Sequence, residues 1–255
     1  PGDEVIIYEP AYDSYIPAIE LAGGKAIPIS LKPPHYKIDW QEVENAITPS
    51  TKAIMVNNPH NPSGSILNVQ DLMALEALAI KHDLLVLSDE VYEHMVYDGI
   101  MHESVLKYPN LADRSIAFSS FGKTLHTTGW KVGYVIASEE LSLEIRKVHQ
   151  YLTFSTSTPF QFGIAEYLKR CEEEVWNLSN FYQAKRDYFR ELLADTPFQV
   201  LPCPGTYFQL VSYKGISNMP DTEFANYLTQ KIGVAAIPVS VFYSDQRDDK
   251  VIRFC

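Results

Sequence analysis

The 255 residues include only three cysteines, Cys171, Cys203 and Cys255, far apart and odd in number. That pattern excludes a disulfide framework and a C-x-x-C pair for zinc or redox work, and it fits a reducing cytoplasm. Basic residues are also scarce: 21 lysines and arginines face 32 aspartates and glutamates, a formal net charge of -11. Without a Lys/Arg cluster, neither nucleic acid nor an anionic membrane surface is an expected partner. No apolar run approaches the roughly 20 residues of a membrane helix, and no charged-then-apolar leader is visible. His60, His94 and His126 show no metal spacing with one another or with the cysteines, so no metal is expected and all three read as structural. Internal repeats and low-complexity segments are absent as well.

What is present is an alternation of short β-branched or aliphatic runs with longer segments of helical period, the mark of parallel strands joined by crossover helices. The candidate strands are Glu4–Tyr8, Lys25–Ser30, Ala53–Asn57, Leu84–Ser88, Ser115–Ser119 and Gly133–Ala137. Between two of them, Asp71–His82 carries Leu72, Leu75 and Ala79 on one face, with Asn68 as a candidate cap. After Ala137 the pattern changes: Ser138–Thr153 and Phe160–Leu193 read as helical. From Phe198 it becomes strand-rich, with Phe198–Leu201 and Tyr207–Tyr213 flanking the turn signal Pro202-Cys203-Pro204-Gly205. A helix over Thr222–Lys231 and strands at Val234–Ile237 and Val251–Phe254 complete a smaller α+β unit. We therefore expect a large α/β domain over 1–171 and a small domain over 172–255. The chain opens on Pro1-Gly2-Asp3 without Met and stops inside an apolar run, so it is expected to be part of a longer protein.

In open α/β sheets, ligands sit at the carboxyl ends of the strands, so the polar residues after each apolar run merit inspection. Three such junctions stand out: Asn58-Pro59-His60-Asn61-Pro62-Ser63-Gly64, Ser88-Asp89-Glu90-Val91-Tyr92, and Ser119-Ser120-Phe121-Gly122-Lys123-Thr124, the last continuing to Gly129-Trp130-Lys131. Together with Glu9-Pro10-Ala11-Tyr12 and Ile252-Arg253-Phe254, their order and spacing resemble the class I/II aminotransferases, which depend on pyridoxal 5'-phosphate (PLP). The likeness runs along the whole chain and is greatest to the kynurenine/glutamine transaminase subgroup and to bacterial methionine aminotransferases.

The resemblance implies a fold type I architecture, with a mainly parallel seven-stranded sheet in the large domain. It also implies roles. Lys123 matches the lysine that bonds covalently to the cofactor and then shuttles the substrate Cα proton. Asp89 matches the carboxylate that pairs with the pyridinium nitrogen; alone, it would equally serve as a helix cap. Asn61 and Tyr92 match the donors to the cofactor's phenolic oxygen, while Ser120 and Lys131 match phosphate ligands. Many relatives carry arginine where Lys131 stands, and lysine is a point charge without arginine's fork. Tyr12 lies where the subgroup stacks an aromatic ring on the cofactor. Arg253 matches the arginine that takes the substrate α-carboxylate through a bidentate pair, with Asn61 beside it. Glu90 reads as structural.

Relatives carry a phosphate-binding glycine loop ahead of the first matched motif and further helices after the last, and they pair as homodimers. The expected reaction is transfer of an amino group from a neutral amino acid to a 2-oxo acid by a ping-pong mechanism. The donor would be of methionine, aromatic, glutamine or kynurenine type, since the motifs offer no second cation and Tyr12, Tyr15, Phe121 and Phe242 are candidate pocket walls. A PLP-dependent carbon–sulfur β-lyase and a non-catalytic PLP-binding regulatory module are the alternatives.

Overall fold

Each of the six apolar runs forms a strand of one sheet: β1 (Glu4–Glu9), β2 (Lys25–Ser30), β3 (Thr51–Asn57), β4 (Leu85–Asp89), β5 (Ser115–Ser120) and β6 (Gly133–Ala137). The computed structural model describes all 255 residues. The sheet order is β2-β1-β3-β4-β5-β6, so the count is six where the resemblance implied seven. The six runs are all that the sequence offers this sheet.

β1 to β5 pair in parallel, and β6 returns antiparallel to β5. A parallel return needs a crossover of a dozen or more residues, usually helical. The connection between β5 and β6 holds no helix long enough to cross the sheet, only the one-turn helix Phe121–Thr124 and the 3-10 turn Thr128–Trp130, and it doubles back. β2 lies outside β1, and β3 starts the march in the opposite direction. The order therefore reverses at β1/β3, the kind of switch point at which a crevice opens beyond the strand ends.

The helix between β3 and β4 spans Val69–Lys81, and Asn68 caps it in a box with Asp71. Leu72, Leu75, Leu78 and Ala79 are its buried residues, as the period required. The segment read as helical from Phe160 divides into helices Thr158–Arg170, Glu172–Trp176 and Leu178–Leu193. Glu172, Glu173 and Glu174 favour a fresh helix start, because carboxylates are stabilised at the positive end of a helix dipole.

The second sheet contains β7 (Gln199–Val200), β8 (Gln209–Ser212), β9 (Ile237–Pro238) and β10 (Val251–Phe254), in the order β7-β8-β10-β9. β9 is shorter than expected. Gly233, at φ 82, ends the preceding helical turn, and the Val234 N–H closes that turn on the Leu228 carbonyl, which delays the strand. One apolar core of 22 buried residues runs from Ile6, Ile54 and Val86 of the large sheet to Leu201, Leu210 and Val251 of the second. The loop before β10 is fastened to β1: the Ser244 N–H and hydroxyl both donate to Glu9, at 2.9 and 3.0 Å. Helices Glu139–Leu152 and Thr158–Arg170 bury little, and leave Tyr151, Leu152, Phe154 and Phe162 exposed.

Candidate active site

Parallel pairing brings the carboxyl ends of β1, β3, β4 and β5 to one edge, and Asn57 stands opposite Asp89 in register. The junctions therefore meet although they lie far apart in the chain. Asn57, buried at the end of β3, ties two of them: its Nδ2 donates to the Asp89 carbonyl at 2.9 Å, and its Oδ1 accepts from the Asn61 N–H at 2.7 Å. The turn that follows is packed without slack. Gly64 sits at φ +73, and a Cβ there would lie 2.8 Å from both Cys203 Sγ and the Gly205 carbonyl.

Asp89 closes β4 with a carboxylate held on both oxygens. The Tyr15 hydroxyl donates to Oδ2, and the Val91 N–H donates to Oδ1 at 3.2 Å. Burial pushes the carboxyl above its usual range, while the Tyr15 and Val91 hydrogen bonds and the Lys123 charge oppose that. Glu90, next in sequence, faces away into the fold. It accepts from Ser88 Oγ at 2.8 Å and the Val105 N–H at 3.1 Å, and pairs with His102 at 2.9 Å.

Lys123 lies on the one-turn helix after β5, whose first turn Ser120 caps by accepting from the Gly122 N–H at 3.1 Å. Its Nζ stands 5.9 Å from the centre of the Tyr92 ring. Tyr92 is buried beside Tyr207 and Phe208, with ring centroids at 5.5 and 5.8 Å. Burial, and then the Tyr207 hydroxyl, raise its phenol far above the ordinary value, which makes it a fixed proton donor. Lys131 follows the Thr128–Trp130 turn in a left-handed conformation, exposed. Tyr12 is 45% exposed, packed edge-on against Tyr15 at 5.5 Å.

Arg253, on β10, reaches across to the β3 loop, where its Nη1 donates to Asn61 Oδ1 at 2.8 Å. Its guanidinium sits between Phe208 and Phe242, at 4.1 and 5.2 Å from the ring centres. Burial lowers its pKa, and its Nε has no partner within the protein. A half-buried guanidinium anchored on one side by Asn61 is suited to an incoming carboxylate.

Two of the three histidines lie away from the cavity that Lys123 enters, and His126 lines it. His60 is buried with Nδ1 2.6 Å from Ser63 Oγ, and burial brings its pKa down to about 4. His94 packs on Trp176, and His126 lies 3.2 Å from the Tyr182 hydroxyl. No cluster of three metal-ligating side chains occurs.

Lys123 opens on a cavity of about 560 Å³ whose aromatic lining comes from Tyr97, Tyr182, Phe189, Tyr207, Phe208 and Phe254; none of Tyr12, Tyr15, Phe121 and Phe242 lines it. Phe121 packs instead on Tyr134 at 5.1 Å, and Phe242 lies under Arg253. Two further cations line the same cavity: Lys185, with its Nζ 4.6 Å over the Phe181 ring of its own helix, and Arg186, paired with Asp98 and Asp187 at 2.6 and 2.7 Å. Asn57 and Tyr207 were missed as contributors, and Tyr15, read as a pocket wall, donates to Asp89. Only Asn57 carried a signal, as the last residue of a strand directly before a matched loop.

Comparisons with known proteins agree with this geometry. The profile of aminotransferase class I and II matches residues 1–255. A methionine aminotransferase of Escherichia coli is 48% identical over 254 residues, which are 100% of this chain and 66% of that protein. Kynurenine–oxoglutarate transaminase 1 of Mus musculus is 35% identical over 286 aligned positions, covering 100% of this chain and 68% of its own length. Among solved structures, an Escherichia coli protein with a methionine aminotransferase function superposes with a TM-score of 0.97 at 48% identity, over 100% of this chain and 67% of that one. N-succinyldiaminopimelate aminotransferase from Mycobacterium tuberculosis gives 0.94 at 36% identity, over 100% and 67%. The chain thus spans about two thirds of the length of these relatives. With the fold type I architecture and the three converging junctions in place, the chain belongs to the class I and II aminotransferases.

Proposed function

We propose that the whole protein is a PLP-dependent aminotransferase that moves the amino group of a neutral amino acid to a 2-oxo acid in two half-reactions. The observation that carries this reading is the seat of Arg253, a half-buried guanidinium bonded through Nη1 to Asn61 and set between Phe208 and Phe242. The donor set also suits the cofactor: a half-buried carboxylate at Asp89, a protonated phenol at Tyr92 and the side chain of Lys123 stand at one strand edge. When bound, PLP supplies the electron sink that makes the α-amino group transferable.

The chain's residues divide the work. Lys123 holds the cofactor and carries the Cα proton at Nζ. Asp89 pairs with the ring nitrogen, Asn61 and Tyr92 donate to the phenolic oxygen, Ser120 and Lys131 take phosphate, and Tyr12 covers the ring. Arg253 orients the substrate by its carboxylate, with Asn61 fixing the guanidinium plane. An aromatic-lined cavity supports a neutral, extended side chain such as that of methionine, phenylalanine, glutamine or kynurenine. We also propose domains over 1–171 and 172–255, a homodimer built over the exposed apolar residues around Phe154, and a reducing cytoplasm, which the three unpaired cysteines support.

The test is chemical. Borohydride reduction of the whole protein in the presence of PLP should fix the label on the peptide containing Lys123. A label elsewhere, or none, overturns the reading.

A further inference from the structure

The Tyr15 hydroxyl donates to Oδ2 of Asp89 across 74 residues of sequence. We infer that Tyr15 is a positioning residue that fixes the Asp89 carboxylate for a protonated ring nitrogen. This rests on the reading of Asp89 given above.

A carboxylate at a strand end can rotate about its last bond, so its lone pairs have no set direction until both oxygens are tied. Here Oδ1 takes the Val91 N–H, and the Asp89 carbonyl takes Asn57 Nδ2 and the Asn58 N–H, each at 2.9 Å. Tyr15 supplies the remaining constraint. Its ring starts the helix Tyr15–Leu21, which docks on the buried cluster of Ile7, Ala11 and Ile19, so its hydroxyl has a fixed origin. Burial, then the neighbouring Asp89 charge, hold the phenol well above its ordinary pKa, so it remains a donor.

The balance at Asp89 shows why a donor matters there. Burial favours the neutral acid, and the Glu90 charge adds to that tendency. Opposing them are the Tyr15 hydroxyl, the Val91 N–H and the Lys123 ammonium, in that order. Tyr92 also lies close enough to feel the Asp89 charge, but its raised phenol leaves it neutral. Removing the Tyr15 oxygen therefore deletes one of the two hydrogen bonds that favour the ionised Asp89, and leaves the packing nearly unchanged.

The experiment measures PLP dissociation from the whole protein by tryptophan fluorescence across the acid and neutral range, in wild type, Tyr15→Phe and Asp89→Asn. Ring-nitrogen NMR of labelled PLP serves as a second readout. In Tyr15→Phe, the midpoint at which acid abolishes PLP affinity should move up by about one pH unit. Affinity should fall about tenfold on the acid side, and the ring-nitrogen signal should move toward its unprotonated position. A fluorotyrosine at the same site is a stronger donor that keeps the shape, so it should move the midpoint down, which covers the case where Tyr15→Phe folds poorly. An unmoved midpoint with an unmoved nitrogen signal overturns the inference, provided that Asp89→Asn still weakens PLP. If Asp89→Asn changes nothing, the reading of Asp89 itself fails, and the role of Tyr15 fails with it.

Discussion

The Arg253 guanidinium and the Asn61 amide oxygen stand 2.8 Å apart, although 192 residues separate them. This contact joins the last strand of the second sheet to the loop that closes β3, so the proposed carboxylate seat draws on both sheets at once.

Replacing Arg253 with alanine should lower kcat/KM for amino acids and 2-oxo acids roughly 100-fold, mostly through KM, as expected for a lost charge-assisted pair worth about 2 to 3 kcal/mol. Amines without a carboxylate should be affected least. Steady-state kinetics on both substrate types check this; equal losses would place Arg253 outside the carboxylate seat.

Lys123→Ala should remove turnover while shifting Tm by no more than a few degrees, because the side chain ends on the wall of a cavity. Calorimetry and a single-turnover assay on the same preparation provide the comparison. Normal turnover would end the assignment of this lysine.

Gly64→Ala should cost about 2 to 3 kcal/mol of stability and loosen PLP binding together. Its backbone lies at φ +73, and the new methyl would meet Cys203 Sγ and the Gly205 carbonyl at 2.8 Å. Denaturant unfolding with a parallel PLP titration tests it, and an unchanged midpoint would show that the turn relaxes freely.

His60 sets a pH dependence of known sign. Burial lowers its pKa from 6.5 to about 4, so the neutral ring contributes stability that is full above pH 6.5 and erodes as pH falls toward about 4. Across that window, wild type should lose roughly 3 kcal/mol relative to His60→Gln. Parallel unfolding curves of the two proteins through the same pH range would contradict it.

Methionine should exceed aspartate as donor in kcat/KM, because the cavity beside Lys123 is lined by aromatic rings, Lys185 is turned over Phe181 and Arg186 is engaged by Asp98 and Asp187. A donor panel with one common oxo acid decides the matter, and aspartate as the best donor would defeat the neutral-pocket reading.

The large sheet was legible because each of its strands is a short apolar run ending in polar residues, and parallel pairing sends those ends to one edge. Asp89, Asn61 and Lys123 were readable for the same reason. The antiparallel turn of β6 was not, since it follows from the shortness of the β5–β6 connection and not from the composition of the strand. Tyr182 and Tyr207 were equally hidden: a tyrosine on a helix or before a strand carries no local mark of the cavity it will line. Tyr15 was read as a pocket wall, and only the placing of its helix beside the end of β4 shows that its hydroxyl reaches Asp89.

The clasp between Glu9 and Ser244 orders events during synthesis. Glu9 leaves the ribosome 235 residues ahead of its partner, so the first strand must wait through nearly the whole translation of this chain with its carboxylate unclaimed. The Arg253 seat, which follows Ser244 by a few residues, becomes available only after that. At about 5 to 20 residues per second the delay exceeds ten seconds, far longer than the forming of a local helix. The Arg253–Asn61 contact is therefore later to form than the strand edge it completes, and a nascent chain halted before Ser244 would display that edge without it.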